Sequence, residues 1–175
     1  CMDNIFLPTM NAMNSEGRRF KGVLYFGLII TDDGVYVIEY NCRFGDPETQ
    51  AVLPRLKSDI VKIFEAVIDE RLSEISIKWD DAAAACVVMA SGGYPGKYET
   101  GLKIEGIETA EKADNVTVFH AGTVFSDGSF YTSGGRVLGV TATGENLEKA
   151  IRSAYEAVEK IRFEGAHYRT DIGIK

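Results

Sequence analysis

The pattern of apolar and polar positions in the first part of the chain predicts a β-hairpin followed by a helix. Two β-rich runs cover residues 22–30 and 35–41, and the segment between them ends in Asp-Gly, a dipeptide typical of tight hairpin turns. Beyond a loop that contains glycine and proline, apolar side chains recur at helical spacing over residues 58–72. Ser58 or Asp59 is suited to cap the start of that helix.

The same pattern in the second part predicts a β-rich unit that a helix closes. The composition changes near residues 76–81, which we interpret as a linker. Apolar residues from Leu147 to Ile161 lie on one face of an amphipathic helix. The sequence therefore predicts an α+β fold with two domains, residues 1–80 and residues 81–175. Short strands are predicted in the second domain over residues 84–91, 116–120, 123–125, 130–132 and 136–141.

Composition and charge narrow the class of protein. The chain is 45% hydrophobic and 26% charged, which is ordinary for a globular protein. Its formal net charge of −7 argues against a nucleic-acid partner, which would normally need a basic surface. The longest apolar run, residues 22–30, is too short to span a bilayer, so no membrane partner is expected.

The cysteines and the first residue add two expectations. Cys1, Cys42 and Cys86 are too widely spaced to suggest a zinc site or a disulfide framework, so we expect reduced thiols in a cytoplasmic protein. Strand alternation turns Cys42 away from its polar neighbours, and we interpret it as a buried, inert thiol. Because the chain starts with Cys rather than Met, we expect it to be an internal piece of a longer protein.

Candidate chemistry concentrates at the end of the second β-rich run. Glu39 and Asn41 are two residues apart on a strand, so their side chains share a face and offer hard oxygen ligands suited to Mg²⁺. Arg43 would bring a planar guanidinium to the same face, and Asp46 and Glu48 follow near a Gly-Asp-Pro turn. A Glu-x-Asn pair alone is a weak signal, and the residues by themselves leave a solvated strand end as the alternative.

These residues carry a resemblance to a known family. The run Arg43-Phe-Gly-Asp-Pro-Glu-Thr-Gln50 after Glu39-x-Asn41 resembles the signature of the phosphoribosylamine–glycine ligase (glycinamide ribonucleotide synthetase) family of ATP-grasp enzymes. Further motifs resemble the C-terminal domain of that family, in the family's order: residues 90–96 (ASGGYPG), 119–123 (FHAGT), 134–138 (GGRVL) and 168–173 (YRTDIG). The resemblance covers essentially the whole chain, as the C-terminal portion of the family.

The resemblance implies a fold and an activity. It implies the C-terminal part of an ATP-grasp domain, a hairpin plus helix, followed by a β-rich, barrel-sandwich-like domain with a closing helix. The implied activity belongs to purine biosynthesis: an ATP-dependent C–N ligase joins glycine to 5-phosphoribosylamine through a glycyl phosphate and forms glycinamide ribonucleotide. The implied partners are ATP, glycine, 5-phosphoribosylamine and a missing N-terminal half. Without that half, we expect the chain alone to be inactive.

The resemblance also assigns residue roles. Glu39 and Asn41 would hold Mg²⁺ or Mn²⁺ against the ATP phosphates. Arg43 and Asp46 would be catalytic, with Arg43 contacting phosphate or the acyl phosphate. The implied substrate-binding residues, which include a turn that could bind an anion near the phosphoribosyl group, are Glu48, Gly134, Gly135 and Arg136.

Two other interpretations remain open at this point. The β-rich unit could be a non-catalytic, biotinyl-like carrier or interaction module, which would need a lysine at an exposed hairpin tip. The tip at Asp127-Gly128 has no lysine, and Lys97 lacks methionine neighbours. The chain could also serve as a dimerisation or scaffolding piece. His120, within a β run, is interpreted as a hydrogen-bonded structural residue.

Overall fold

The computed structural model describes residues 1–174, which form two compact units. The first unit comprises Cys1–Gly45 and Lys57–Lys78, and the second comprises Asp46–Leu56 and the described chain from Trp79 onwards. The segment Asp46–Leu56 thus belongs by its contacts to the second unit, although it precedes residue 80. The division into domains at residue 80 stays a prediction.

Helices and strands are mixed along the chain, with additional short helical segments at Met2–Phe6, Leu53–Arg55 and Leu72–Glu74. In chain order the elements are α1 (Leu7–Ser15), β1 (Tyr25–Thr31), β2 (Gly34–Asn41), α2 (Thr49–Val52), α3 (Ile60–Ile68), β3 (Ala83–Ala90), β4 (Lys103–Ile104), α4 (Ile107–Ala110), β5 (Val116–His120), β6 (Thr123–Ser126), β7 (Ser129–Thr132), β8 (Arg136–Gly144) and α5 (Leu147–Val158).

The first unit contains the predicted hairpin and helix. Strands β1 and β2 pair antiparallel around a tight turn, which confirms the hairpin. Helix α3 begins where predicted, because the Asp59 side chain accepts a hydrogen bond from the Val61 N–H at 2.8 Å. It ends earlier than predicted, because Glu70 adopts a left-handed conformation at φ 58° and the Arg71 N–H bonds back to the Ala66 carbonyl at 2.7 Å.

The second unit is built from two three-stranded antiparallel sheets, the long helix α5 and the short helices α2 and α4. One sheet has the order β3-β8-β5 and the other β4-β7-β6. Helix α5 packs on the first sheet, and its alanines at positions 150, 154 and 157 are buried. The core lies between them and includes Val87, Met89, Val140 and Val158. The predicted α+β fold with a closing helix is confirmed. Among residues 1–174 the strands form open sheets, however, and none of these closes into a barrel.

A tight turn joins β6 to β7. Asp127 and Gly128 both have positive φ, 49° and 75°, as a two-residue hairpin turn requires. The tip therefore carries an acidic residue and a glycine, with no lysine that a carrier domain would present for modification. Within residues 1–174, no helix has both the length and the apolar character needed to cross a membrane.

Candidate functional site

The Glu39–Asn41 pair lies on β2 as predicted, with both side chains on one face. The Asn41 Nδ2 donates a hydrogen bond to the Glu39 Oε1 at 3.0 Å. Gly27 pairs with Glu39 across the hairpin, and a Cβ on Gly27 would lie 2.8 Å from the Glu39 Cγ. A bulge between Gly27 and Leu28 adjoins this pairing, and bulges commonly re-aim side chains near functional sites. The glycine therefore makes room for the carboxylate.

The chemistry of this pair fits a small divalent cation held by few protein ligands. Because the Asn41 Nδ2 donates to Glu39, the side-chain oxygen Oδ1 of Asn41 stays available as a metal ligand on the same face as the carboxylate. In residues 1–174, no three His, Cys, Asp or Glu side chains gather to form a metal cage. An ion here would thus rely on nucleotide phosphate oxygens and water for its remaining ligands, the usual arrangement for Mg²⁺.

Arg43 follows the end of β2, where strand alternation no longer sets its direction. The Arg43 Nη1 donates to the neighbouring Phe44 carbonyl at 2.8 Å, and the side chain is exposed. The Phe44 ring packs against Phe64 of α3, with ring centroids 6.3 Å apart, which anchors the loop. Cys42 is exposed, so the prediction of a buried thiol was wrong. The strand stops at Asn41, so strand alternation no longer sets the direction of the Cys42 side chain.

Asp46, in the second unit, is held on both carboxylate oxygens. Arg136 of β8 forms an ion pair with it, with Nη2 3.0 Å from Oδ2, and its Nη1 donates to the Asp46 main-chain carbonyl at 3.2 Å. The Gln50 Nε2 donates to Oδ1 at 3.2 Å. The structure thus brings together Asp46 and Arg136, which are 90 positions apart in the sequence. It adds Gln50, which the sequence analysis did not assign.

The glycines before Arg136 are fixed by packing. Buried Ser91 donates its Oγ hydrogen bond to the Gly134 carbonyl and its N–H to the Gly135 carbonyl, each at 2.8 Å. A Cβ on Gly135 would overlap the Tyr94 ring, and a Cβ on Gly122 would lie 2.7 Å from the Gly134 Cα. Close approach therefore explains why glycine occupies positions 122 and 135, and a Cβ on Gly134 would in turn lie 3.0 Å from the Gly122 Cα. The anion-binding role of this turn stays a prediction.

Glu48 lies at the start of α2 beside a small apolar cavity. The Glu48 carbonyl accepts a hydrogen bond from the Val52 N–H at 2.9 Å, and its side chain is exposed. The cavity measures about 250 Å³, and its wall includes Pro47, Glu48, Cys86 and Ile151. Burial raises the pKa of the Cys86 thiol above its usual value, and the negative charge of Asp46 adds to this, while a hydrogen bond with Thr141 partly opposes it. This cysteine is therefore a protonated, weakly nucleophilic thiol.

His120 has the hydrogen bond that was predicted for it. Its Nδ1 lies 2.9 Å from the Thr123 Oγ1, and its ring packs on Phe130 at a centroid distance of 4.3 Å. These contacts tie the end of β5 to the β6–β7 hairpin. They account for His120 as a structural residue.

Two family models match the chain. The model described as "Phosphoribosylglycinamide synthetase, C domain" matches residues 84–175, which is more than half of the chain. The model described as "Phosphoribosylglycinamide synthetase, ATP-grasp (A) domain" matches residues 1–49. Residues 50–83, which include Gln50, lie between the two matched ranges. The other proposed site residues, from Glu39 to Glu48 and from Gly134 to Arg136, lie inside them.

Individual relatives agree with these matches. A phosphoribosylamine–glycine ligase from Caldanaerobacter subterraneus subsp. tengcongensis is 48% identical over 170 residues, which cover 97% of this chain and 40% of that protein. The "Trifunctional purine biosynthetic protein adenosine-3" of Gallus gallus is 48% identical over 174 residues, 99% of this chain and 17% of that protein. The crystal structure of phosphoribosylamine–glycine ligase from Thermotoga maritima superposes with a TM-score of 0.79 at 36% identity, covering 98% of this chain and 42% of that one. The chain thus spans about two fifths of the length of the single-function relatives.

Proposed function

Because the chain belongs to the phosphoribosylglycinamide synthetase family, we propose that it is the C-terminal part of an ATP-dependent ligase. The ligase joins glycine to 5-phosphoribosylamine and forms glycinamide ribonucleotide. The observation that carries this proposal is the exposed carboxylate–amide pair of Glu39 and Asn41 on one face of a strand, within the residues that match the ATP-grasp model. The parent protein would work in the cytoplasm, as a biosynthetic enzyme.

The first half-reaction activates glycine. Its carboxylate oxygen attacks the γ-phosphorus of ATP, the bond to the β-phosphate oxygen breaks, and glycyl phosphate and ADP result. Glu39 and Asn41 are the residues that would hold Mg²⁺ or Mn²⁺, which when bound supplies positive charge beside the phosphate oxygens. Arg43 is exposed and would donate hydrogen bonds to the transferred phosphoryl group from its planar guanidinium.

The second half-reaction forms the amide. The amine of 5-phosphoribosylamine attacks the glycyl carbonyl carbon, a proton leaves the nitrogen, and inorganic phosphate departs. Asp46 presents an oriented carboxylate that can accept a hydrogen bond from that amine. Arg136 uses Nη1 and Nη2 for Asp46, yet each nitrogen carries a second hydrogen that can donate to a substrate phosphate. Glu48, Gly134 and Gly135 would complete the substrate-binding surface of the second unit.

The N-terminal portion that the relatives possess is the proposed partner of the first unit. The hairpin exposes large apolar side chains, among them Ile30 (82% exposed), Ile38 (65%) and Tyr40 (52%). Exposed apolar surface of this kind usually marks an interface. The ATP-grasp match over residues 1–49 supports the rest of that domain as the covering partner.

The proposal is tested in a full-length ligase that carries this chain as its C-terminal part. The Glu39→Gln substitution keeps the side-chain volume and removes the charge, so turnover should fall by roughly a hundredfold or more, as expected when a metal ligand is lost. ADP and glycinamide ribonucleotide are measured together while the Mg²⁺ concentration is varied.

The matched control is Glu65→Gln on the exposed side of α3, which should leave both products unchanged. Full turnover in Glu39→Gln with an unaltered Mg²⁺ requirement would remove Glu39 from the metal site. Absence of glycinamide ribonucleotide in the unsubstituted protein would refute the function itself.

A further inference from the structure

The Asp46 carboxylate is oriented by two partners of different kinds. Arg136 reaches Oδ2 from β8 at 3.0 Å, and Gln50 reaches Oδ1 from α2 at 3.2 Å. Both residues of the ion pair are nearly half exposed, at 42% and 48% of their side chains. An ion pair so exposed to water is weak and leaves the carboxylate free to rotate. A second donor on the other oxygen is what limits that rotation.

Gln50 is suited to this task because most of its side chain is enclosed. It lies in the first turn of α2, four residues after Asp46, and the 3.2 Å hydrogen bond shows that the two side chains are neighbours. A Cβ on Gly139 of β8 would lie 3.5 Å from the Gln50 Cγ, so the glutamine stem packs over that strand. Turning the amide over would set its oxygen against the Asp46 carboxylate, and this repulsion fixes the amide in one orientation.

The cost of this arrangement points to a role in function. The Gln50 Oε1 is buried and has no hydrogen-bond partner among residues 1–174. A buried acceptor without a partner lowers stability, so an apolar side chain of similar shape would suit the fold better. The sequence nevertheless has glutamine here, the single side chain of that type in the chain. The hydrogen bond that Nε2 donates to the Asp46 carboxylate accounts for the presence of glutamine at this position.

We propose that Gln50 is a positioning residue, which holds the Asp46 carboxylate in the orientation that the ligase reaction uses. This inference rests on the proposed function. Gln50 acts through Asp46 and does not itself contact the reacting atoms. The role requires the Gln50 Nε2 donor and is independent of the size of the side chain.

The test uses a full-length ligase that carries this chain, with Gln50→Met and Gln50→Glu compared. Methionine keeps the length and loses the donor, so kcat should fall roughly tenfold to a hundredfold, the scale of a small misplacement of a reacting group. The KM for ATP should stay within about twofold, because the proposed role of Asp46 is to contact the amine and not to bind the nucleotide. Glutamate sets a second carboxylate against Asp46, so its kcat should fall further than that of the methionine variant.

Two further measurements separate positioning from a structural role. The melting temperature of Gln50→Met should be equal to or above that of the parent, because the orphaned acceptor is gone. In an Asp46→Asn background, Gln50→Met should lower kcat by less than twofold, since residues that act as a unit are not additive. Val52→Thr, an exposed change on the same helix, is the control that should leave kcat unchanged.

The outcomes are distinguishable. Full kcat in Gln50→Met, or an equal loss in the Asp46→Asn background, would overturn the positioning role while leaving the ligase function standing. A lower melting temperature that accounts for the lost activity would also overturn it. A parent protein that forms no glycinamide ribonucleotide would overturn both the function and this inference.

Discussion

At the scale of single residues, the turn before Arg136 is set by packing from a neighbouring loop. Ser91 is fully buried and binds the carbonyls of Gly134 and Gly135, and the Tyr94 ring occupies the space that a side chain on Gly135 would fill. Because protein interiors tolerate little extra volume, this arrangement fixes the main chain from which Arg136 projects. The Arg136–Asp46 pair therefore depends on the stability of the turn.

The packing role of Gly135 makes a prediction about stability. Gly135→Ala should lower the free energy of unfolding of the second unit by about 1–3 kcal/mol, because the added methyl group must displace the Tyr94 ring. Urea unfolding of the purified chain measures this change. Adding Tyr94→Leu to Gly135→Ala should recover part of the loss, because it removes the ring that the methyl group meets. An unchanged unfolding midpoint in Gly135→Ala would leave anion binding as the reason for this glycine.

Residues close together in the sequence were the ones that could be predicted. Glu39 and Asn41 lie two positions apart on one strand, so alternation alone places them side by side, and the structure confirms it. Arg136 and Asp46 meet only because β8 and the loop before α2 come together in the fold, which no local pattern reveals. Gln50 is four positions after Asp46, but α2 begins only at Thr49, so no helical period connects the two residues. The cis-proline loop between Asp46 and α2 carries no periodic signal that would have announced the helix.

At the scale of elements, strength of periodicity decided which helices could be predicted. Helix α5 has a clear apolar face of small residues, and Asn146 caps it by accepting the Lys149 N–H at 2.9 Å. Helix α1 was not predicted, since asparagine, threonine and serine interrupt its apolar positions and give it no distinct apolar face. Helix α4 lies in an acidic stretch and was not predicted, yet its residues Ile107 and Ala110 are buried. Two apolar positions are too few to define a period.

The cap of α5 predicts a modest and specific loss of stability. Asn146→Ala removes the side-chain acceptor and should destabilise the second unit by about 1 kcal/mol. Asn146→Asp keeps the acceptor at the same position and should retain most of the stability, so it is the matched control. The two variants are compared by thermal unfolding monitored by circular dichroism. Equal melting temperatures for Asn146→Ala and the parent would mean that packing alone sets the start of this helix.

At the scale of the whole molecule, the buried core is unevenly shared between the two units. Of the buried hydrophobic residues in the described chain, Ala66 lies in the first unit and the others lie in the second. The second unit has a continuous core between its first sheet and α5. An isolated two-stranded hairpin is marginally stable in water, and β1–β2 presents apolar side chains to solvent. The second unit should therefore fold by itself, whereas the first requires a partner.

This asymmetry leads to a prediction about the 175-residue chain on its own. It should form no glycinamide ribonucleotide from ATP, glycine and phosphoribosylamine, because catalysis by positioning needs all substrates held at once. Amide hydrogen exchange should be slow in β3, β8 and α5 and fast in β1 and β2, since exchange follows local stability. Adding the separately expressed N-terminal portion of a full-length relative should slow exchange in the hairpin and restore turnover together. Turnover by the chain alone that disappears in Glu39→Ala would contradict the prediction, because the two units would then hold every substrate by themselves.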